Sequence, residues 1–228
     1  MSSTRITNCA IIEMSELSDG KNVYLFRRRE LSHQIIDMKC PGCGAPASTG
    51  ETTCKYCHRP VIISTFNSVY QMPMPEVNKY ARAYQQTLAQ NPDSSELNSS
   101  VAMCYLKLGL HDKAIAAFEK ALEDDFDNSE AFFYAAICQL RGKKAFLARR
   151  ADIDKAVEYV NAALMIEPKG IYYYLLAYIK YDFFARKRLR TTPDYNEALA
   201  EARNAGLSAF DVEQLYLILG VEQPASLQ

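Results

Sequence analysis

The sequence predicts a multidomain fold: a small β-rich N-terminal part followed by an all-α solenoid of helix pairs. Three observations carry this. A triplet at helical spacing, Ala114, Phe118 and Ala121, has counterparts 34 residues upstream (Tyr80, Tyr84, Thr87), 42 downstream (Ala156, Val160, Ala163) and 42 further on (Ala198, Ala202, Ala205). A helical unit recurring at this period cannot bury its apolar face alone, so copies stack. Ahead of the repeats lie two C-x-x-C pairs within a segment of short apolar runs. Between the two parts, Gln71-Met-Pro73-Met-Pro75 interrupts both patterns and marks a linker over 71–76.

In residues 1–70, Ala10 to Met14 and Asn22 to Phe26 read as strands around the turn signal Ser18-Asp19-Gly20. Leu31 to Met38 and Val61 to Phe66 read as two more, flanking the cysteines. Cys40, Cys43, Cys54 and Cys57 offer four thiolates in two tight turns, the tetrahedral sulfur set that Zn2+ prefers. Cys40-Pro-Gly-Cys43-Gly and Cys54-Lys-Tyr-Cys57 resemble the knuckles of the zinc-ribbon family over Met38 to Ile63. His58 departs from that pattern, standing where the family has glycine, and reads as a surface residue or a substitute ligand. Four protein ligands imply a structural and not a catalytic site. A redox C-x-x-C centre is the rival reading, but no βαβ pattern surrounds it. Arg27-Arg28-Arg29 is either exposed strand-end charge or a contact for phosphate or an acidic partner.

The helical part spans 77–220: a lone helix at 77–91, pairs at 95–126, 129–168 and 171–206, a capping helix at 211–220, then a tail at 221–228. Ala102…Tyr105…Leu108-Gly109…Lys113-Ala114-Ile115…Phe118-Glu119-Lys120-Ala121-Leu122 resembles the tetratricopeptide repeat. Ala136, Ala156, Ala163 and Pro168 continue the resemblance in the second unit, while the third places bulky Tyr178 where a small residue is expected. The resemblance implies a concave groove lined by the first helix of each pair. The matching positions are Met103, Leu106, Phe133, Ile137, Leu140, Tyr172, Leu175 and Ile179. Ser99 and Met103 stand where some relatives carry a carboxylate clamp, so an apolar helix or extended peptide is the implied partner. The alternative is a groove filled by the protein's own segment near Tyr70 to Met74.

Both later units are longer than the first, with the extra length between their helices. These insertions carry Arg141, Lys143, Lys144, Arg149, Arg150, Arg186, Lys187, Arg188 and Arg190. Loops at equivalent positions emerge on one edge of a solenoid, so these residues form either a basic ridge for acidic protein, lipid headgroup or RNA, or separate solvated helix ends.

Net charge of −1 argues against bulk attraction to nucleic acid or membrane. Cys9, Cys104 and Cys138 are scattered and odd in number, as in a reducing compartment, with Cys104 and Cys138 read as core. No signal-peptide pattern opens the chain, and Ile171 to Phe184 is too short to span a bilayer, so a cytoplasmic protein is expected. His33, His58 and His111 sit apart from any nucleophile pattern, so no enzyme is expected. The functional expectation is a non-enzymatic adaptor that binds protein through groove and basic edge. The alternative is a nucleic-acid-binding accessory protein using the ribbon and the ridge.

Overall fold

A computed structural model describes residues 35–227 and, by their backbone, residues 11–16 and 22–27. Contacts divide the chain into Met1–His33 and Gln34–Gln228. In the first unit β1 (Ile11–Glu16) and β2 (Asn22–Arg27) pair antiparallel, with Ile11 opposite Arg27 and Glu16 opposite Asn22. The expected turn at 18–20, together with Cys9, Arg28, Arg29 and His33, lies outside the described residues.

The second unit opens with β3 (Asp37–Lys39) and β4 (Pro46–Ser48), antiparallel, with Met38 opposite Ala47. Cys40 and Gly44 close the first knuckle: Cys40 N–H donates to Ala45 C=O and Gly44 N–H to Cys40 C=O, both at 2.8 Å. The second repeats this pattern, with Cys54 N–H donating to Arg59 C=O and His58 N–H to Cys54 C=O, both at 2.9 Å. The segment 61–66, expected to be a strand, joins neither sheet; an isolated bridge pairs Pro60 with Thr53 just before it, and Val61 N–H donates to Thr52 C=O at 3.1 Å. The segment then bends into the short helix α1 (Phe66–Tyr70). Its apolar run is buried by helices, not by sheet partners, and periodicity alone does not separate these cases.

Eight further helices follow: α2 (Met74–Leu88), α3 (Ser95–Lys107), α4 (His111–Asp124), α5 (Ser129–Gln139), α6 (Arg150–Ile166), α7 (Gly170–Ile179), α8 (Tyr195–Asn204) and α9 (Ala209–Leu219). The main packing pairs are α3 with α4, α5 with α6 and α7 with α8, and each pair stacks on the next through α4 with α5 and α6 with α7. Small residues set the close approach: Ala102, Ala114, Ala136, Ala156 and Ala163 are fully buried. Side chains at the caps satisfy orphan amides: Ser94 accepts from Leu97 N–H, Asn128 from Ala131 N–H, and Asp194 forms a capping box with Glu197. Gly170 permits another close approach, because a Cβ there would lie 2.6 Å from Leu207 N and 2.8 Å from Ala202 O.

The helix α2 starts three residues before the expected Val77. Pro73 is its N-cap and Pro75 sits in its first turn, where a missing N–H costs nothing. The expected linker is therefore a tight connection, with Met72 N–H donating to Val69 C=O. The contact units also differ from the expected boundary at residue 70, since the knuckles group with the helices. Two tyrosines account for this. Tyr80 and Tyr84 of α2 are fully buried and donate to Pro60 C=O (3.1 Å) and Val61 C=O (2.8 Å). Arg59 pairs with Glu76 at 2.6 Å, and the Lys79 ammonium donates to Gly42 C=O. A segment this small cannot enclose a core of its own, and it borrows one from α2.

The tail folds back over 221–227: Leu227 is buried, and Tyr174 OH donates to its carbonyl at 2.9 Å. Among the described residues, no helix is long and apolar enough to cross a membrane.

Candidate metal centre and interaction surfaces

The sulfurs of Cys40, Cys43, Cys54 and Cys57 all lie within 4.8 Å of one another. Cys40 to Cys57 and Cys43 to Cys54 are both 3.7 Å. A tetrahedron of ~2.3 Å metal–sulfur bonds has edges of about 3.8 Å, whereas a disulfide needs about 2.05 Å. The donor set therefore fits a metal ion and not a pair of disulfides. Backbone amides favour the thiolate form: N–H groups of Cys57 and Tyr56 draw the Cys54 thiol down to about 7, the Tyr56 N–H lying 3.5 Å from its sulfur. Burial pushes Cys40 the other way.

His58 is not part of the cluster. It is exposed, with φ of 57°, and Gly44 at the matching place in the first knuckle has φ of 82°. The position demands left-handed backbone in both knuckles, which is why the ribbon pattern carries glycine there. Cys104 and Cys138 are fully buried core residues, and burial pushes the Cys104 thiol up to about 12.

The expected groove is not an open surface. Met103, Leu106, Phe133, Ile137, Leu140, Tyr172, Leu175 and Ile179 are all 5 % exposed or less. The protein covers much of this face itself. Val61, Ile63, Phe66 and Val69 are buried, and α1 packs on α3. Ser100 of α3 both accepts from Ile63 N–H (3.2 Å) and donates to Ile63 C=O (3.1 Å), while the Phe66 ring lies 5.8 Å from Tyr134. At the other end α9 packs on α7. Residues 61–70 thus occupy part of this face, upstream of the segment near Tyr70 to Met74 that the sequence suggested.

What stays open is a recess of about 440 Å³ between α1, α5, α7 and α9. Phe133 and Tyr172 form its floor, with ring centroids 4.8 Å apart. Phe210, 60 % exposed, stands at its rim beside Asp211 and Gln214. Glu130 and Glu167 line it too, with Lys169 3.7 Å from Glu130 and 2.9 Å from Glu167. The nearby ammonium and the Ser129 hydroxyl hold the Glu167 carboxyl below its usual range. Sequence reasoning missed Phe210. Its signal is that it falls off the apolar face formed by Val212, Leu215, Tyr216 and Leu219.

The two insertions do meet. The first forms a 3-10 turn (Ala145–Leu147), and the second extends α7 through a π-helical turn (Lys180–Ala185). Buried Asp182 accepts from Phe146 N–H at 2.7 Å and pairs with Arg186, whose guanidinium also lies over the Phe146 ring. Tyr178, bulky where a small residue was expected, uses its hydroxyl to accept from Ala145 N–H. The basic residues are not equally free. Arg141 pairs with Asp112, Arg149 with Asp152, Arg150 with Asp154 and Arg186 with Asp182. Among the described residues Lys143, Lys144, Lys187, Arg188 and Arg190 have no carboxylate partner.

No curated protein matches this chain. A family model described as tetratricopeptide repeat matches residues 81–141, which run from within α2 through the α3–α4 pair to the end of α5. Residues 81–141 are thus similar to the tetratricopeptide repeat, and they share one compact unit with a four-cysteine cluster able to hold a metal ion.

Proposed function

We propose that this protein is a non-enzymatic adaptor whose helical repeats hold a peptide segment of another protein in the recess between α5, α7 and α9. The observation that supports it is an aromatic recess left open on a face that the chain in part covers itself. Tetratricopeptide repeats serve protein–protein contact, and Phe133, Tyr172 and Phe210 offer aromatic area for an anchor side chain. Glu130, Glu167 and Asp211 outnumber Lys169, which favours a segment with a basic residue beside its apolar anchor. Zn2+ is the metal we assign to Cys40, Cys43, Cys54 and Cys57, on the strength of four thiols at tetrahedral spacing. When bound it supplies a four-way cross-link between the knuckles. The cysteines and their amide donors then hold Arg59 to Ile63 in the place where Tyr80, Tyr84 and Ser100 receive them. Four of the nine basic residues of the edge are engaged with carboxylates, which weakens the reading as a nucleic-acid-binding protein.

Peptide display on the full chain tests the adaptor reading. Selected peptides should pair a basic residue with an apolar one, and Phe210→Glu should abolish their binding without lowering the melting temperature. No enrichment, or enriched peptides indifferent to Phe210→Glu, would remove the recess as the site.

A further inference from the structure

The edge built by the two insertions carries both charge and exposed apolar side chains. Asp182 and Tyr178 pin the first insertion to the second through the Phe146 and Ala145 amides, so the two turns form one packed surface. Lys143, Lys144, Arg188 and Arg190 are exposed on it. Leu147 is 68 % exposed and Leu189 43 %; Leu189 stands between Arg188 and Arg190, and Leu147 follows Lys144 by three residues. Glu222, near Lys144, is a further acid beside this surface, apart from the carboxylates already paired with arginine.

We propose that this edge is a docking surface for an anionic lipid membrane. The cations would sit at the headgroups, and Leu147 and Leu189 would enter the interface. Charge complementarity alone would also suit RNA or an acidic protein, but the rest of the surface does not. RNA binding without base readout relies on free aromatic faces for stacking. Here the Phe146 ring is covered by Arg186 at 4.5 Å and Lys187 at 5.1 Å, and Phe183 is buried beneath Lys187 at 3.7 Å. An acidic peptide would account for the cations yet leave two leucines in water. A lipid surface uses both. The inference stands apart from the recess, since no recess residue belongs to this edge.

Co-sedimentation of the full chain with vesicles tests it. Phosphatidylcholine vesicles holding roughly 30 mol % phosphatidylserine should bind the protein, and vesicles of phosphatidylcholine alone should not. Each cation near an anionic surface raises the partition about five-fold, equivalent to about 1 kcal/mol, so Lys143→Ala with Lys144→Ala should weaken binding roughly thirty-fold. Both lysines are exposed and have no carboxylate partner among the described residues, so this variant should keep the wild-type melting temperature. Leu147→Gln with Leu189→Gln, which leaves the charge unchanged, should cost at least about ten-fold through lost apolar insertion. Raising salt to about 0.5 M should release the protein. The proposal fails if binding is equal on both vesicle types, if the lysine variant binds like wild type, or if no vesicle binds. It fails also if the loss follows Arg28→Ala with Arg29→Ala instead. Lysine-dependent capture of a single-stranded RNA or of polyglutamate, with no vesicle binding, would assign the edge to that partner.

Discussion

Ser100→Ala probes the contact by which the protein fills its own groove. Ser100 lies within α3, is fully buried, and satisfies both backbone groups of Ile63. Alanine removes both hydrogen bonds at once and leaves a buried N–H and a buried C=O. Each orphaned group costs about 1–3 kcal/mol, and the gain in helix propensity returns only about 0.5 kcal/mol. Some relaxation at the seam trims the sum, so a net loss of about 2–4 kcal/mol is expected. For a unit of this size that lowers the melting temperature by roughly 4–16 °C. Thermal unfolding followed by circular dichroism measures the loss, and amide exchange should show early opening of 61–70. Tyr84→Phe removes the neighbouring bond to Val61 C=O. Because both bonds hold one segment, the double variant should lose less than the sum of the singles. A change under about 0.5 kcal/mol for Ser100→Ala, with unaltered exchange over 61–70, would refute the reasoning that this segment plugs the face.

Other perturbations separate local from long-range effects. His58→Gly should stabilise the protein by about 0.5–1 kcal/mol, the relief of left-handed strain less the added freedom of the unfolded chain. Bound metal measured by mass spectrometry should be unchanged, and a drop would make His58 a ligand after all. Gly170→Ala places a methyl against backbone atoms of Ala202 and Leu207. Overpacking of about 1–3 kcal/mol should exceed the helix-propensity gain of up to about 1 kcal/mol, so the melting temperature falls by a few degrees, and a rise would show that α7 and α8 can part there. Burial and the Arg141 charge hold the His111 imidazole below its ordinary 6.5. Folding therefore favours the neutral ring, and stability should be full above pH 6.5 and fall as the pH drops below it. His111→Gln should flatten that slope in urea titrations across pH 5–7; an unchanged slope would acquit His111.

The cysteine knuckles and the helix pairs were legible because their signals are local. C-x-x-C spacing reports on one turn of backbone, and apolar residues every three or four positions report on one helix face. Helix ends slipped by a few residues where local cues conflicted, as at Pro73 and Pro75, which stop a preceding element yet open α2. Val61 to Phe66, expected as a strand, leads into α1 instead, because an apolar run tells that a segment is buried, not what buries it. The groove failed for the same reason. Met103, Phe133 and Leu175 are apolar on the expected faces, but whether such a face meets solvent, a partner or the chain's own segment is a long-range matter.

Taken alone, the sequence determined the repeat, the four-thiol cluster and the clustering of charge in two insertions, all properties of residues near one another in the chain. Tertiary structure decided the rest. Tyr80, Tyr84 and Ser100 bind a segment from 20 to 37 residues away, which joins knuckles to helices and closes most of the groove. Asp112, Asp152, Asp154 and Asp182 decided which cations of the edge are spent and which are free. The repeat announces stacked helix pairs through its period; which of their surfaces remain uncovered depends on how the chain folds back on itself.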